Sequence, residues 1–142
     1  MGRRGLREQV FKLLFMSEFH PAEDLPEQTD IYLTEMEEQE LISEQESHNV
    51  REKYLSVREK MPEIDKVLNE ISHGWKTSRM GRVDLNILRL AAYEICYDER
   101  VPEKVAVNEA VEIAKKYGGE ETAPFINGLL GKVISLYREN QI

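Results

Sequence analysis

The sequence predicts an all-α protein, a single-domain bundle of about six or seven helices. Apolar residues recur with the 3.6-residue period of amphipathic helices over most of the chain, and proline or glycine falls between those stretches. No stretch shows the alternating pattern of a strand, and no Asn-Gly pair joins two such stretches into a β-hairpin. The chain has 142 residues, of which 41% are apolar, so it can fill one core. We therefore expect one domain over residues 1–142.

The amino-terminal part contains three predicted helices. The first runs from Arg4 to Phe19 and precedes a linker from Pro21 to Pro26, because proline lacks an N–H and disfavours a helical residue before it. A second helix is predicted from Asp30 to Glu40, although its glutamates leave few apolar side chains to pack. Helical spacing resumes from Ser47 to Met61, where Pro62 permits a kink or a break.

The carboxy-terminal part continues the helical pattern. An apolar face extends from Ile64 to Ile71, Gly74 and Trp75 close that segment, and Ser78 to Arg82 forms a basic turn. Three further helices are predicted, at Val83 to Ile95, Val105 to Tyr117 and Phe125 to Leu136.

Residues that favour helix ends separate the last helices. Pro102 suits a first helical turn, and Gly118-Gly119 supplies a residue that can enter positive φ at a helix end. Thr122 can accept N–H hydrogen bonds as an N-cap. Asn108 and Asn127 fall inside apolar stretches, so we expect their amides to bond helix ends or neighbouring backbone.

The charge is unevenly distributed. The formal net charge of −8 argues against a nucleic-acid partner. Residues 1–20, however, carry +2, residues 21–65 carry −10 and residues 66–142 carry 0. Because salt limits the range of a field to roughly 8 Å, an acidic segment need not cancel a basic patch elsewhere. The local charge therefore leaves nucleic-acid binding open.

The sequence predicts no enzyme, no metal site and no cofactor. Its histidines, His20, His48 and His73, lie in three segments without the spacing of a zinc site or a nucleophilic triad. The single cysteine, Cys96, is expected to be an inert buried thiol, and one cysteine fits a reducing compartment. No run approaches the ~18 apolar residues of a membrane helix. We expect a cytoplasmic protein without a membrane contact.

The arginines near the amino terminus are the best candidate for a binding site. Arg3 and Arg7 are four residues apart and Arg4 lies three before Arg7, so all three can project from one helix end toward phosphate. Cations at a helix N-terminus oppose the helix dipole, which suggests another use for them. Basic residues on solvated helices are nevertheless common, and the spacing alone does not decide.

Four strings in the carboxy-terminal half resemble the NusB family of bacterial transcription antitermination factors. They are Asp84-Leu-Asn-Ile-Leu-Arg-Leu-Ala-Ala-Tyr-Glu94, Pro102-Glu-Lys-Val-Ala-Val-Asn-Glu-Ala-Val-Glu-Ile-Ala-Lys115, Tyr117-Gly118 and Phe125-Ile-Asn-Gly-Leu-Leu130. The resemblance is dense over about a third of the chain and thinner toward both ends, which is more specific than a single motif. It implies a NusB-like fold and an RNA-binding antitermination factor.

The resemblance also implies site residues. The family's RNA-binding element is an arginine-rich start followed by a helix, which Arg3, Arg4 and Arg7 resemble. Positions similar to Phe15, Glu121 and Phe125 lie at or beside the RNA surface in the family. The two phenylalanines could stack on unpaired bases, or they could pack in the core. Glu121 would repel RNA, so it would tune affinity or cap the following helix.

Partners are implied in the same way. The family binds short single-stranded boxA-type RNA together with NusE, a ribosomal protein, within an RNA polymerase antitermination complex that acts during ribosomal RNA transcription. NusE contacts the region of Asp84, Arg89 and Tyr93, whose mixed composition also suits a protein interface, although these side chains could equally bond neighbouring helices. The family often has Asp where this chain has Gly131, so the role of that carboxylate is in doubt here.

Two alternatives stay open. NusB-like helices also occur as the amino-terminal domain of ribosomal RNA cytosine methyltransferases, but such an enzyme needs a further domain and a catalytic cysteine, and this chain ends at Ile142. The other alternative is a helical protein-interaction module without RNA affinity, such as a homodimer formed through the first helix. A homodimer of this kind could hide the basic helix from RNA.

Overall fold

Helix-forming segments with apolar spacing fill most of the chain, and the computed structural model places them in α-helices. The structure describes the backbone of residues 1–140 and the side chains of residues 1–137. Within these residues there are seven α-helices and no strand, which confirms the all-α prediction. The helices are α1 Arg3–Ser17, α2 Leu25–Glu38, α3 Glu44–Glu59, α4 Met61–Ile71, α5 Arg82–Tyr97, α6 Glu103–Tyr117 and α7 Thr122–Asn140. Short 3-10 helices lie at Ala22–Asp24 and Thr77–Arg79.

The chain divides into two compact units. The first runs from Met1 to Arg58 and contains α1, α2 and nearly all of α3. The second begins at Glu59 and contains α4 to α7. Among the described residues, no helix combines the length and apolarity needed to cross a membrane.

The first unit buries one apolar stripe from each of its helices. Tyr32 of α2 donates a hydrogen bond from its hydroxyl to the Gln9 side chain of α1. Arg51 of α3 forms an ion pair with Asp30 of α2, with a nitrogen–oxygen distance of 2.6 Å. The side chains that fill this core include Val10, Leu13, Leu14, Leu33, Val50, Tyr54 and Val57.

The turn between α2 and α3 is built from two capping motifs. Glu40 adopts a left-handed conformation with φ of 59°, and the Leu41 N–H donates to the Met36 carbonyl across it, at 3.0 Å. Ser43 and Glu46 then form a capping box, in which each side chain accepts a hydrogen bond from the other residue's backbone N–H. The Ser43 N–H, followed by the amino terminus, lowers the pKa of Glu46.

Helix α5 is the centre of the second unit. It packs against α4, α6 and α7, and every residue from Leu85 to Ala92 is buried. Because neighbours cover it on several sides, its sequence is apolar around most of its circumference rather than along one stripe. Helix α6 presents a narrower stripe of alanines and isoleucine, with Ala106, Ala110, Ile113 and Ala114 buried.

Several predicted element boundaries were wrong. Residues 21–26 do not form a linker, because Pro26 occupies the first turn of α2, where the missing N–H costs nothing. Pro62 occupies the same position in α4, so the break after α3 is confirmed. Gly118 has φ of −102° rather than a positive φ, and Thr122 lies within the first turn of α7, where its hydroxyl accepts from the Gly119 N–H.

The asparagines expected at helix junctions were also placed wrongly. Asn108 and Asn127 are both exposed. The buried asparagine is instead Asn86, whose side chain donates to the Arg82 carbonyl at 2.8 Å. Gly128 and Gly131 are exposed, and no neighbouring atom lies within 4 Å of a Cβ built on either glycine.

Candidate nucleic-acid interface

The amino-terminal end of α1 presents the three predicted arginines. Arg3 and Arg4 are exposed and Arg7 is half-buried. The first turn of α1 contains no acidic residue, and Gly2 at its N-cap makes no side-chain capping bond. Three cations therefore surround a helix end that already carries positive partial charge. This arrangement is unfavourable for an isolated helix and favourable for a bound anion.

An aromatic row follows the arginines along α1. Phe11 is buried, Phe15 is half-buried and Phe19 is 62% exposed. The ring centroids of Phe11 and Phe15 lie 6.3 Å apart, and those of Phe15 and Phe19 lie 5.1 Å apart. The row therefore leads from the core to the surface, with Phe15 packed on both neighbours. Sequence reasoning missed Phe19, although its spacing of four residues from Phe15 was a sufficient signal.

Arg4 and Phe15 share one side of α1. Eleven residues separate Arg4 from Phe15, which is about three full helical turns. The two side chains therefore project in similar directions, about 16 Å apart along the axis. Glu8 lies one turn after Arg4 on this side and adds one negative charge. In the first unit, the structure thus brings Arg3, Arg4, Arg7 and Phe15 onto one helix, and we call this set, with Phe19, the α1 surface.

Glu121 and Phe125 lie together at the start of α7. The Glu121 carbonyl accepts the Phe125 N–H at 3.2 Å, so Glu121 occupies the N-cap position of the helix. Its side chain is exposed, and Phe125, one turn later, is half-buried. A carboxylate at this position is stabilised by the helix dipole, which agrees with the expected capping role. A role in RNA binding stays a prediction for both residues.

The residues predicted to bind a partner protein are separated on α5. Asp84 is half-buried in the first helical turn. Tyr93 is also half-buried, and its ring centroid lies 5.8 Å from that of Tyr97. Nine residues separate Asp84 from Tyr93, which is about two and a half turns, so the two side chains lie on opposite sides of α5.

Arg89 makes internal contacts. It is 8% exposed, and its guanidinium donates to both carboxylate oxygens of Asp65 on α4, at 2.9 and 2.8 Å. A third nitrogen donates to the Asn86 side chain at 3.3 Å. These bonds connect α4 to α5 and hold the Arg89 side chain inside the second unit. Its predicted contact with a partner stays a prediction.

The remaining candidate chemistry is sparse. Cys96 is half-buried rather than fully buried, and burial raises the pKa of its thiol. Among the residues whose side chains the structure describes, no three metal-ligating groups converge on a potential ion site. The α1 surface is therefore the feature with the clearest binding chemistry in the first unit.

Comparison with known proteins decides the family. Residues 4–135 match the NusB family. The chain belongs to the NusB family. A relative named transcription antitermination protein NusB, from Lachnoclostridium phytofermentans, is 50% identical to this NusB chain over 135 residues, which cover 94% of the chain and 99% of the relative. The NusB protein of the same name from Agathobacter rectalis is 46% identical over 132 residues, or 93% of the chain and 98% of the relative.

Solved NusB structures share the fold. The structure of T. maritima NusB aligns with a TM-score of 0.80 at 34% identity, over 95% of this NusB chain and 92% of the other. A crystal structure of antitermination factors NusB and NusE in complex with double-stranded RNA contains a chain that aligns with a TM-score of 0.78 at 21% identity, over 95% and 97% of the two chains. The predicted NusB-like all-α fold is therefore confirmed.

Proposed function

We propose that this chain is a transcription antitermination factor that binds single-stranded boxA-type RNA together with NusE and acts on RNA polymerase during ribosomal RNA transcription. It works in the cytoplasm as an adaptor, without catalysis and without a cofactor. The observation that carries this proposal is the 50% identity, over nearly the full length of both chains, to a curated antitermination protein.

The α1 surface supports the RNA-binding part of the proposal. Arg3 and Arg4 are exposed, and forked guanidinium groups suit bidentate contacts with phosphate. Phosphate contacts supply salt-dependent affinity, whereas stacking on aromatic rings favours unpaired bases. Phe15 is held by Phe11 and Phe19, so a base stacked there would meet a ring that is already fixed in place. Single-stranded RNA needs this combination of charge and aromatic area.

The acidic composition is compatible with this assignment because the charge is segregated. Residues 1–20 carry +2, although the whole chain carries −8. The Met1 amino group at this helix end pairs with Glu46 at 3.2 Å, and the Arg3 and Arg4 side chains are exposed, so the positive charge offered to RNA is theirs. The negative remainder would weaken binding to RNA in general, which favours selectivity for the element that fits the α1 surface.

The two proposed NusE contacts on α5 have different roles. Asp84 and Tyr93 are half-buried, so each retains accessible surface for a partner. Because they lie on opposite sides of α5, one flat interface would reach one of them, and we place Asp84 in it. Arg89 contributes indirectly, because its bonds to Asp65 connect α5 to α4.

The test is equilibrium binding to a short fluorescein-labelled boxA-type RNA, measured by anisotropy with and without NusE. We expect binding that NusE strengthens and that a scrambled RNA of equal composition loses. The double variant Arg4→Ala/Arg7→Ala should weaken binding about 100-fold or more, since each of two charge-assisted bonds contributes about 1.5–3 kcal/mol. Arg100→Ala is the matched control, because Arg100 is an exposed arginine in the second unit that pairs with Asp98, two residues earlier in the chain.

Two outcomes would contradict the proposal. If the chain binds NusE but shows no affinity for boxA-type RNA in dilute buffer, it is a protein-interaction module. If RNA binds and Arg100→Ala weakens binding as much as the double variant Arg4→Ala/Arg7→Ala does, the attraction is a general effect of charge. The α1 surface is then not the site. Circular dichroism of each variant establishes that the helices are intact.

A further inference from the structure

A second cationic and aromatic surface lies in the second unit, between α4 and α5. Residues 72–83 contain Lys76, Arg79 and Arg82 and no acidic residue, in a chain with 27 acidic and 19 basic residues. Trp75, the single tryptophan of the chain, lies in this segment and is 53% exposed. Tryptophan is enriched at binding interfaces, because its large ring supplies apolar area and its N–H can donate a hydrogen bond.

The backbone of this segment is ordered by specific bonds. His73 and Gly74 both have positive φ, 47° and 89°, so the chain reverses sharply before Trp75. The Trp75 N–H donates to the Ser72 carbonyl at 3.2 Å. The Thr77 N–H donates to the Asn69 side chain of α4 at 2.8 Å. These hydrogen bonds and φ angles therefore define a turn that exposes the indole.

Buried residues fix both ends of the segment. Ile71 ends α4 inside the core, and Met80 is 4% exposed just before α5. Between them, Lys76 at the N-cap of the short 3-10 helix and Arg79 at its last residue are both exposed. The backbone thus keeps Lys76, the neighbour of Trp75 in sequence, and Arg79 in one ordered segment with the tryptophan.

Carboxylates of α4 line a groove with one of these cations. Lys76 lines an open groove with Asp65, Lys66 and Glu70 of α4. Asp65 is already paired with Arg89, and Lys66 and Glu70 carry opposite formal charges. With Asp84, which lies close to Gly81, the segment and the groove contain three carboxylates, and their formal charge is positive because five basic residues accompany them: Lys66, Lys76, Arg79, Arg82 and Arg89.

We propose that the segment from His73 to Arg82 is a second contact for single-stranded RNA, in which Trp75 stacks on an unpaired base and Lys76 and Arg79 bind the adjacent phosphates. A flat exposed indole flanked by cations is the combination that holds single strands without strict base selection. The inference rests on the proposed function and extends it, because it gives the RNA a contact in the second unit that is independent of the α1 surface.

The single tryptophan makes the contact directly observable. Stacking on a base quenches indole emission, so titration of the full chain with boxA-type RNA should quench Trp75 fluorescence in parallel with the anisotropy signal. Trp75→Leu should weaken RNA binding about five-fold or more, since stacking contributes about 1–3 kcal/mol per base. Trp75→Phe should restore most of the affinity, because it restores an aromatic face.

A matched aromatic control lies at the other end of α5. Tyr97 is exposed and has the Lys60 ammonium 5.2 Å from its ring centroid, so it offers the same chemistry about 22 Å along the helix from Arg82. Tyr97→Leu should leave RNA affinity unchanged. Arg79→Gln should reduce the slope of log K against log salt concentration by about 0.7, the value for one phosphate contact on a single strand.

The outcomes separate this inference from the proposed function. RNA binding that depends on Arg4 and Arg7 but leaves Trp75 emission and the Trp75→Leu affinity unchanged would overturn the second contact alone. Quenching by NusE without RNA, and none by RNA, would identify the segment as a protein contact and also overturn it. Absence of any RNA binding would remove the proposed function together with the inference.

Discussion

Arg89 of α5 donates two hydrogen bonds to the two carboxylate oxygens of Asp65 on α4, with nitrogen–oxygen distances of 2.9 and 2.8 Å. The Arg89 side chain is 10% exposed, whereas the Asp65 side chain retains 26% of its accessible surface. The two partners therefore lose different amounts of solvation when the pair is broken. The two single variants should therefore lower the free energy of unfolding by different amounts.

Asp65→Ala should lower the free energy of unfolding by about 2–4 kcal/mol, because it leaves the buried Arg89 charge without this carboxylate. Arg89→Met should cost less, since Asp65 can return to water and the methionine fills the space. Urea denaturation followed by circular dichroism measures both. Lys115→Ala is the control: it removes an exposed pair with Glu112 and should cost less than about 1 kcal/mol. Equal effects of Asp65→Ala and Arg89→Met would contradict the asymmetry.

A second prediction concerns the left-handed residue after α2. Glu40 has φ of 59°, a conformation that costs a residue with a side chain about 1 kcal/mol and costs glycine little. Glu40→Gly should therefore raise the free energy of unfolding by about 1 kcal/mol. Glu35→Gly, inside the same helix, should lower it by a similar amount. A loss of stability in both variants would show that the Glu40 side chain has a role that outweighs the strain.

The sequence predicted α2 and the turn that follows it less well than the rest of the chain. The α2–α3 turn depends on Glu40 in a conformation that favours glycine and on the Ser43–Glu46 capping box, and the box was overlooked although its residues are three apart. The start of α2 was missed because Pro26 was interpreted as a linker residue, whereas proline is also stable in a first helical turn. Local sequence allows both readings, and the packing of Leu25 and Leu33 decides between them.

Apolar spacing predicted α5, α6 and α7 well because each helix buries a long apolar face. It could not show which polar residues are covered by a neighbouring helix. Asn108 and Asn127 are exposed, whereas Asn86 and Arg89 are buried beside one another, and only the arrangement of α4 against α5 determines this. The candidate site on α1 was predictable as a set of arginines. The exposed ends of the aromatic rows, Phe19 and Tyr97, were not identified.

A third prediction concerns a glycine that is needed for close approach. A Cβ atom on Gly118 would lie 2.6 Å from three side-chain atoms of Thr122, so Gly118→Ala must shift the start of α7. We expect it to lower the free energy of unfolding by about 1–3 kcal/mol. Gly119→Ala adds a Cβ with no atom within 4 Å and should be close to neutral in the same urea titration. Similar midpoints for the two variants would contradict the predicted clash.

A fourth prediction follows from the half-buried thiol. Burial raises the pKa of Cys96, so folding disfavours its thiolate, and this group reduces stability as the pH rises above the ordinary pKa of a thiol. Alkylation by iodoacetamide requires the thiolate. The rate-against-pH profile of the native protein should therefore have its midpoint at higher pH than that of the urea-unfolded chain, as measured by mass spectrometry. Coincident midpoints would contradict the effect of burial.

The central claim is that a cationic helix end on an acidic chain binds RNA through its phosphates, and the salt dependence of boxA-type RNA affinity tests it most directly. The triple variant Arg3→Gln/Arg4→Gln/Arg7→Gln should reduce the slope of log K against log salt concentration by about 2, since each lost contact with a single strand contributes about 0.7. Arg100→Gln should leave the slope unchanged. An unchanged slope in the triple variant would contradict the claim.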